Sequence, residues 1–392
     1  MQQMTHRKRI QAALDHQEPD LVPLDFGTGG NTSPVPEVYK KLADLFKVEY
    51  QLKLVPHMMR LAIVDERILQ KLDIDTRPIY MNPVPENVRR CTEPGYFYDE
   101  WGVKWREFDA NGIIYREPAE SPLEKASVAD LDNYPWWPDP LDSRRYLGLQ
   151  ERAQSMSTMT DFALVGCPAF NSVWERAYLL CGYNRMLESL LIEPEFAHAV
   201  FQRITRIILA SLERYLDLVG STLQVVKIGD DLGAQDNSLM SPATYRKMIK
   251  PYHQEIFRLI KERSSAHVFL HTCGSIIKLL PDLIEAGVEI LNPVQVSAKG
   301  METRRLKVDF GDRLTFWGAI DTQHVLPHGS VDEVAQEVKQ RISDLGSGGG
   351  YVVAPVHNVQ GDVPAENVAT MYQSARQFGR YPLTCERYLL TL

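Results

Sequence analysis

Eight short apolar runs rich in β-branched residues recur along this chain, at 21–27, 74–81, 162–168, 223–231, 266–274, 289–295, 314–321 and 351–357. Most are followed by a longer stretch with helical spacing. A parallel strand can follow another only after a crossover, so strand and helix repeated eight times is the pattern of a closed parallel barrel. An open doubly wound sheet would use fewer strands and place a glycine-rich phosphate loop after the first. GTGG at 27–30 occupies that place but lacks both the GxGxxG spacing and a helix directly behind it. The expected fold is therefore an α/β protein, a single (β/α)8 TIM barrel over residues 1–392.

Helix candidates cover 37–46, 184–219, 242–262, 276–286, 331–345 and 365–378, with Ser241 as N-cap ahead of Pro242. The alternation breaks after the second run, from 83 to 160. There CTEPGYFYDEWGVKWREFDANGIIYREP alternates aromatic and polar residues around a turn signal at Asn111-Gly112, and prolines flank Trp136 and Trp137. This reads as a β-rich inserted subdomain near the barrel mouth, its aromatics packing on one another.

A net charge of -8 argues against a nucleic-acid partner, whose footprint is a basic patch. HRKR at 6–9 is too short to alter this and is expected on a solvated helix face. Cys91, Cys167, Cys181, Cys273 and Cys385 are odd in number and irregular in spacing, so they do not form a disulfide framework. The N-terminus lacks an apolar signal core, and no run approaches the length of a membrane span. A cytoplasmic protein with no membrane contact is expected.

Strands of such a barrel end at one face, where active sites are built. The expected ends carry Asp25, Cys167, Asp230 and Asp231, His271 and Cys273, Asn292 and Gln295, Asp321, and His357 with Asn358. His271 and Cys273 stand two apart, so they project to the same side and can converge on one ion. Zinc accepts imidazole nitrogen and thiolate together and, in catalytic sites, takes three protein ligands. His357, ending the eighth strand, is the candidate third ligand, although it could instead donate a hydrogen bond to substrate. A His-x-Cys pair by itself is more often a packed thiol beside a hydrogen-bonded histidine. Asp230, Asp231 and Asp321 are candidate proton carriers, and Asp25, Asn292 and Gln295 candidate substrate contacts. Bland readings stand beside these: Asp321 could cap a turn, Asn292 could satisfy loop backbone, and Cys167 and His267 read as structural.

RKRIQAALDHQEPDLVPLDFG, GDDLGAQDNSLMSPATYRKMIKPYHQEIF, HTCGSIIKLLPDLIEAGVEILNPVQ, FWGAIDTQHVLPHGS and GGGYVVAPVHNVQGDVPAENV together resemble the uroporphyrinogen decarboxylase superfamily. That resemblance implies a (β/α)8 barrel and one of two chemistries. The decarboxylase branch carries arginines after the first strand to hold substrate carboxylates, whereas here LDFGTGGNTSPVP stands there and no arginine occurs between Arg9 and Arg60. The other branch comprises zinc- and corrinoid-dependent methyltransferases, similar to this chain at the His-x-Cys of the fifth strand. Its third zinc ligand is typically a cysteine, where this chain has His357.

The resemblance thus implies a methyltransferase acting on a small O-, N- or S-methyl compound, with zinc as Lewis acid. Its methyl group passes to cobalamin carried by a partner corrinoid protein, and a homodimer is admitted. The alternatives are a metal-free lyase acting on a small carboxylic acid, with His357 and Asp230 as acid and base, and a glycosidase-like barrel using Glu175 and Asp231.

Overall fold

The computed structural model describes residues 3–55, 59–84, 89–110 and 112–383. Eleven strands follow in chain order. β1 is Thr76–Tyr80; β2 Arg89–Arg90, β3 Tyr96–Tyr98, β4 Lys104–Ala110 and β5 Ile113–Glu120 lie in the inserted stretch. β6 is Ala163–Cys167, β7 Val225–Gly229, β8 His267–His271, β9 Ile290–Asn292, β10 Thr315–Ile320 and β11 Tyr351–Pro355. β1 and β6 to β11 form one parallel sheet in sequence order, and β2 to β5 form a separate antiparallel sheet. This is the expected (β/α)8 barrel, with one strand irregular.

The irregular strand is the first. Asp25 N–H donates to Val353 (3.0 Å), Val353 N–H to Pro23 (2.9 Å), and Asp75 N–H to Leu24 (3.0 Å), so residues 23–25 bridge β11 and the start of β1 and close the ring. No regular ladder forms because Pro23 has no N–H and the Leu24 N–H is taken by the Asp75 carboxylate at 2.7 Å. The expected helix at 184–219 is two, Tyr183–Ile192 and Pro194–Val219, and that at 242–262 is Pro242–Met248 and Lys250–Arg263. Pro194 and Pro251 each sit in a first turn, where a missing N–H is harmless. The 276–286 helix begins at Leu280, while Val331–Leu345, with its Ser330/Glu333 capping box, and Ala365–Phe378 hold their expected bounds.

Inward-facing Ala163, Val165, Val225, Phe269, Ile290, Trp317, Val352 and Ala354 fill the barrel, and Ile10 and Leu14 of the His6–Leu14 helix join them. That helix corrects the expectation of a solvated basic face. Arg9 is only 3 % exposed and is ion-paired to Asp20 and Asp75, and Arg7 donates to carbonyls of Ser157, Thr160 and Phe162. His267, expected to be structural, faces Glu289 at 3.4 Å.

Glu289 also accepts from Val268 N–H (2.8 Å) and Lys261 (3.0 Å). Burial alone would raise its pKa, but these bonds, with His267, outweigh it and bring the carboxyl to about 2. A depressed carboxyl stabilises the fold above its unfolded value and stops doing so as pH falls. Glu289→Gln should therefore lower the melting temperature at pH 6, and the gap to wild type should close as pH drops from 4.5 toward 2. An equal gap across that window in thermal melts would contradict this.

In the insertion, Trp101 packs edge-on against Trp137 (6.2 Å) and Phe170 (5.5 Å), and Phe108 stacks on Tyr115 (5.9 Å). Asn111, half of the expected turn, and Cys385 lie outside the described residues. Arg176 reaches Asp99 at 3.2 Å, tying the insertion to the helix after β6. At the other end of the hairpin Ile113 packs so closely on Gly361 that a Cβ there would fall 2.7 Å from it. Cys91, Cys167, Cys181 and Cys273 are unpaired thiols. Among the described residues no helix is long and apolar enough to cross a membrane.

Candidate metal centre

β8 delivers His271 at its last position, and the chain stays extended for two more residues before turning. Thr272 N–H donates to Asn292 (2.7 Å) and Cys273 N–H to the Asp231 carboxylate (2.8 Å). The turn is made by Gly274 at φ +88°, where a side chain would strike the backbone of Gly233 at 2.4 Å. His271 and Cys273 consequently face the same way, with Nε2 and Sγ 3.4 Å apart.

Closure of the barrel brings the end of β11 to the same spot. The ligand atoms of His271, Cys273 and His357 all lie within 4.8 Å of one another, and the two imidazole rings are 5.8 Å apart. Tetrahedral zinc, with bonds of about 2.1 Å to nitrogen and 2.3 Å to sulfur, sets its ligand atoms roughly 3.3–3.7 Å apart. Small side-chain rotations bridge the difference, so the donor set fits the ion. Burial, with Asp231 and Glu175 nearby, raises the pKa of the Cys273 thiol well above normal, so a bound cation would be needed to ionise it. Burial, and next His357, pull His271 down to about 4 against the opposing pull of Asp231 and Asn292, leaving a neutral imidazole suited to ligation.

The remaining expected residues sort differently. Asp231 stands beside the donors, 3.8 Å from His271 Nε2, with its side chain about one third exposed. Asp230 is fully buried and accepts from the N–H groups of Val173 (3.0 Å), Trp174 (2.8 Å) and Glu175 (2.6 Å), with His253 Nε2 at 2.9 Å. It caps the Trp174–Cys181 helix from a neighbouring strand. Asp321 accepts from Gln323 N–H (2.6 Å) and His324 N–H (3.2 Å), the turn-capping arrangement.

Asp25 is fully buried and takes hydrogen bonds from Thr28 (2.5 Å), Thr32 (3.1 Å), Thr76 (2.6 Å) and Trp317 Nε1 (2.9 Å). Gln295 accepts from Gly274 N–H at 2.7 Å and so braces the turn after Cys273. Asn292, also fully buried, lies between His271 Nδ1 (2.6 Å) and the Trp317 carbonyl (2.8 Å). Cys167 sits under the Gly29 turn, and burial pushes its thiol up to about 12, which suits a structural residue.

Two further ionisable groups matter. Glu175, considered from sequence only as part of a carboxylate pair, is pushed up to about 8 by burial and by Asp231 and Asp230. Lys227 of β7 was missed. Its ammonium lies inside the barrel, donating to the Thr28 carbonyl at 2.6 Å, and burial lowers its pKa. Its alternation with Val225 and Gly229 was the available signal.

Barrel and side-chain cluster together define a (β/α)8 protein with a candidate metal centre at the C-terminal mouth of its strands. The family model described as uroporphyrinogen decarboxylase (URO-D) matches residues 162–378, over half of the chain, and the chain belongs to that family. Curated relatives fall on both sides of the family's chemistry. A uroporphyrinogen decarboxylase from Alkalilimnicola ehrlichii is 25 % identical over 71 % of this chain and 73 % of its own. The methylated-thiol–coenzyme M methyltransferase of Methanosarcina mazei is 24 % identical over 62 % of this chain and 61 % of its own. A methylcobamide:CoM methyltransferase from Methanosarcina barkeri is 26 % identical over 41 % and 44 %. Among solved structures, a methyltransferase from Methanosarcina mazei superposes with a TM-score of 0.66, covering 96 % of this chain and 99 % of that one, at 18 % identity, which establishes the shared fold.

Proposed function

We propose that this protein is a zinc- and corrinoid-dependent methyltransferase. It would move a methyl group between a small methyl ether, methylamine or methyl thioether and the cobalt of cobalamin carried by a partner corrinoid protein. The observation that carries this reading is the convergence of His271, Cys273 and His357 within 4.8 Å at the barrel mouth. The methyltransferases among the relatives support it. Bound zinc would supply Lewis acidity at the heteroatom that parts from the methyl group.

His271 and His357 would hold the ion through imidazole nitrogens, and Cys273 would supply the one anionic ligand. Asp231 stands beside them, and burial, with Asp231 and Asp230, pushes the neighbouring Glu175 carboxyl up to about 8. The 83–160 insertion would border the barrel mouth, a placement supported by its ties at Arg176–Asp99 and Ile113–Gly361. Unpaired thiols support a reducing, cytoplasmic setting. The metal-free lyase reading, with His357 and Asp230 as acid and base, is weaker, because Asp230 has no exposed surface and already holds four partners.

The test is spectroscopic. Purified protein incubated with cob(I)alamin and a panel of methyl ethers, amines and thioethers should form methylcobalamin with at least one class, lose that activity on zinc chelation and regain it on zinc addition. Undiminished transfer by zinc-free protein would remove the metal from the mechanism. No transfer from any donor would remove methyl transfer.

A further inference from the structure

Asn292 stands at the mouth of the barrel yet has no exposed surface, so an amide expected to meet substrate must be satisfied by protein groups alone. We propose that Asn292 is a positioning residue for the candidate metal centre, locking His271 in the tautomer that leaves Nε2 free to bind the ion. The inference rests on the metal reading above, but each step follows from donor and acceptor identity.

The Trp317 carbonyl can only accept, so the atom 2.8 Å from it must be the Asn292 NH2 group. The amide is then oriented, and its oxygen faces His271 Nδ1 at 2.6 Å. An amide oxygen cannot donate, so Nδ1 must carry the ring proton, and in a neutral imidazole Nε2 is left with its lone pair. Nε2 is the atom 3.4 Å from Cys273 Sγ.

Behind Asn292 the line continues. Trp317 is itself fixed, its indole N–H donating to Asp25 at 2.9 Å, and Asp25 is held by Thr28, Thr32 and Thr76. Directly after Trp317 the backbone departs from strand geometry, with Gly318 at φ +125° and Ala319 at φ +74°. The second value is strained for a residue with a side chain, and such strain persists where surrounding structure imposes it. A Cβ on Gly318 would also sit 3.4 Å from Asn292 Nδ2. Asp25, Trp317, Asn292 and His271 thus form one buried hydrogen-bonded line from the first strand to the metal donors.

An aspartate could not serve both ends of this amide. It would accept from His271 but present a second acceptor to the Trp317 carbonyl, which explains a carboxamide where histidine ligands are often backed by a carboxylate.

The experiment uses metal-free full-length protein with 15N-labelled histidine. His271 should show a protonated Nδ1 and a bare Nε2 in wild type, a population with the proton on Nε2 in Asn292→Leu, and the wild-type tautomer again in Asn292→Asp. Titration with Co2+, read from its visible spectrum, should give about 10–100-fold weaker binding in Asn292→Leu, with Asn292→Asp recovering part of the loss. A wild-type ring protonated at Nε2 overturns the proposal whether or not the leucine variant folds. So does a folded Asn292→Leu protein with unchanged tautomer and unchanged Co2+ affinity. If wild type binds neither zinc nor Co2+, the metal reading falls, while the tautomer measurement still decides the role of Asn292.

Discussion

Cys273→Ala should strip zinc from the protein, leaving about a tenth or less of wild-type occupancy after dialysis against a weak chelator. The reason is charge. Of the three proposed donors only a thiolate would carry negative charge, and its loss would leave a dication held by two imidazoles, with only the Asp231 carboxylate beside them, in a pocket where His271 is 8 % exposed. Cys273→Ser should fare little better, because a hydroxyl resists ionisation. His357→Ala should lose less zinc than Cys273→Ala, since it removes a neutral ligand, and His357→Cys should retain the metal because a thiolate binds zinc at least as well as an imidazole.

Methyl transfer in Cys273→Ala should fall by roughly two to three orders of magnitude, the kinetic equivalent of several kcal/mol of Lewis-acid assistance. The fold should be nearly untouched, as the bond from the residue's backbone N–H to Asp231 does not depend on the side chain. Metal analysis alongside thermal melts separates the two effects. Stoichiometric zinc in Cys273→Ala would rule out the donor set.

The convergence of His271, Cys273 and His357 was legible in sequence because each position follows from strand register. Two residues apart puts His271 and Cys273 on one side, and ring closure brings the end of β11 round to them. The sorting of acids was not legible in that way. Asp230 and Asp231 are neighbours of the same type, and what separates them is the helix beginning at Trp174, whose free N–H groups descend on one and leave the other by the donors. No local pattern encodes that encounter.

The same holds for Asn292, whose role is set by a carbonyl 25 positions along the chain, and for HRKR, whose charges read as solvated until Asp20 and Asp75 arrive from elsewhere. The first strand forms no ladder because backbone donors are diverted, as at Leu24, and the sixth, expected over 289–295, stops at Asn292 just before Pro293. Helix breaks fell at Pro194 and Pro251, which a stricter reading of proline would have placed.

Asp230→Ala should destabilise the protein by about 3–5 kcal/mol, the range for removing one partner from a buried charged network. Three backbone N–H groups would lose their acceptor in a site without solvent, each worth about 1–3 kcal/mol if left unpaired, and partial relaxation brings the sum down to the quoted range. His253, fully buried between Asp230 and Tyr245 (3.0 Å), would lose one of its two partners as well. Asp321→Ala makes the comparison, since it releases only two N–H groups of a turn and should cost about 1 kcal/mol.

Urea denaturation of both variants measures the difference directly. Zinc content provides the second axis: in Asp230→Ala it should stay near wild type, because none of the three donors touches Asp230 through its side chain, while methyl transfer drops as the start of the Trp174 helix loosens and Glu175 leaves its place beside Asp231. A variant that melts with wild type would show that the helix start does not depend on this carboxylate. One that folds normally but has lost its zinc would move Asp230 into the donor set.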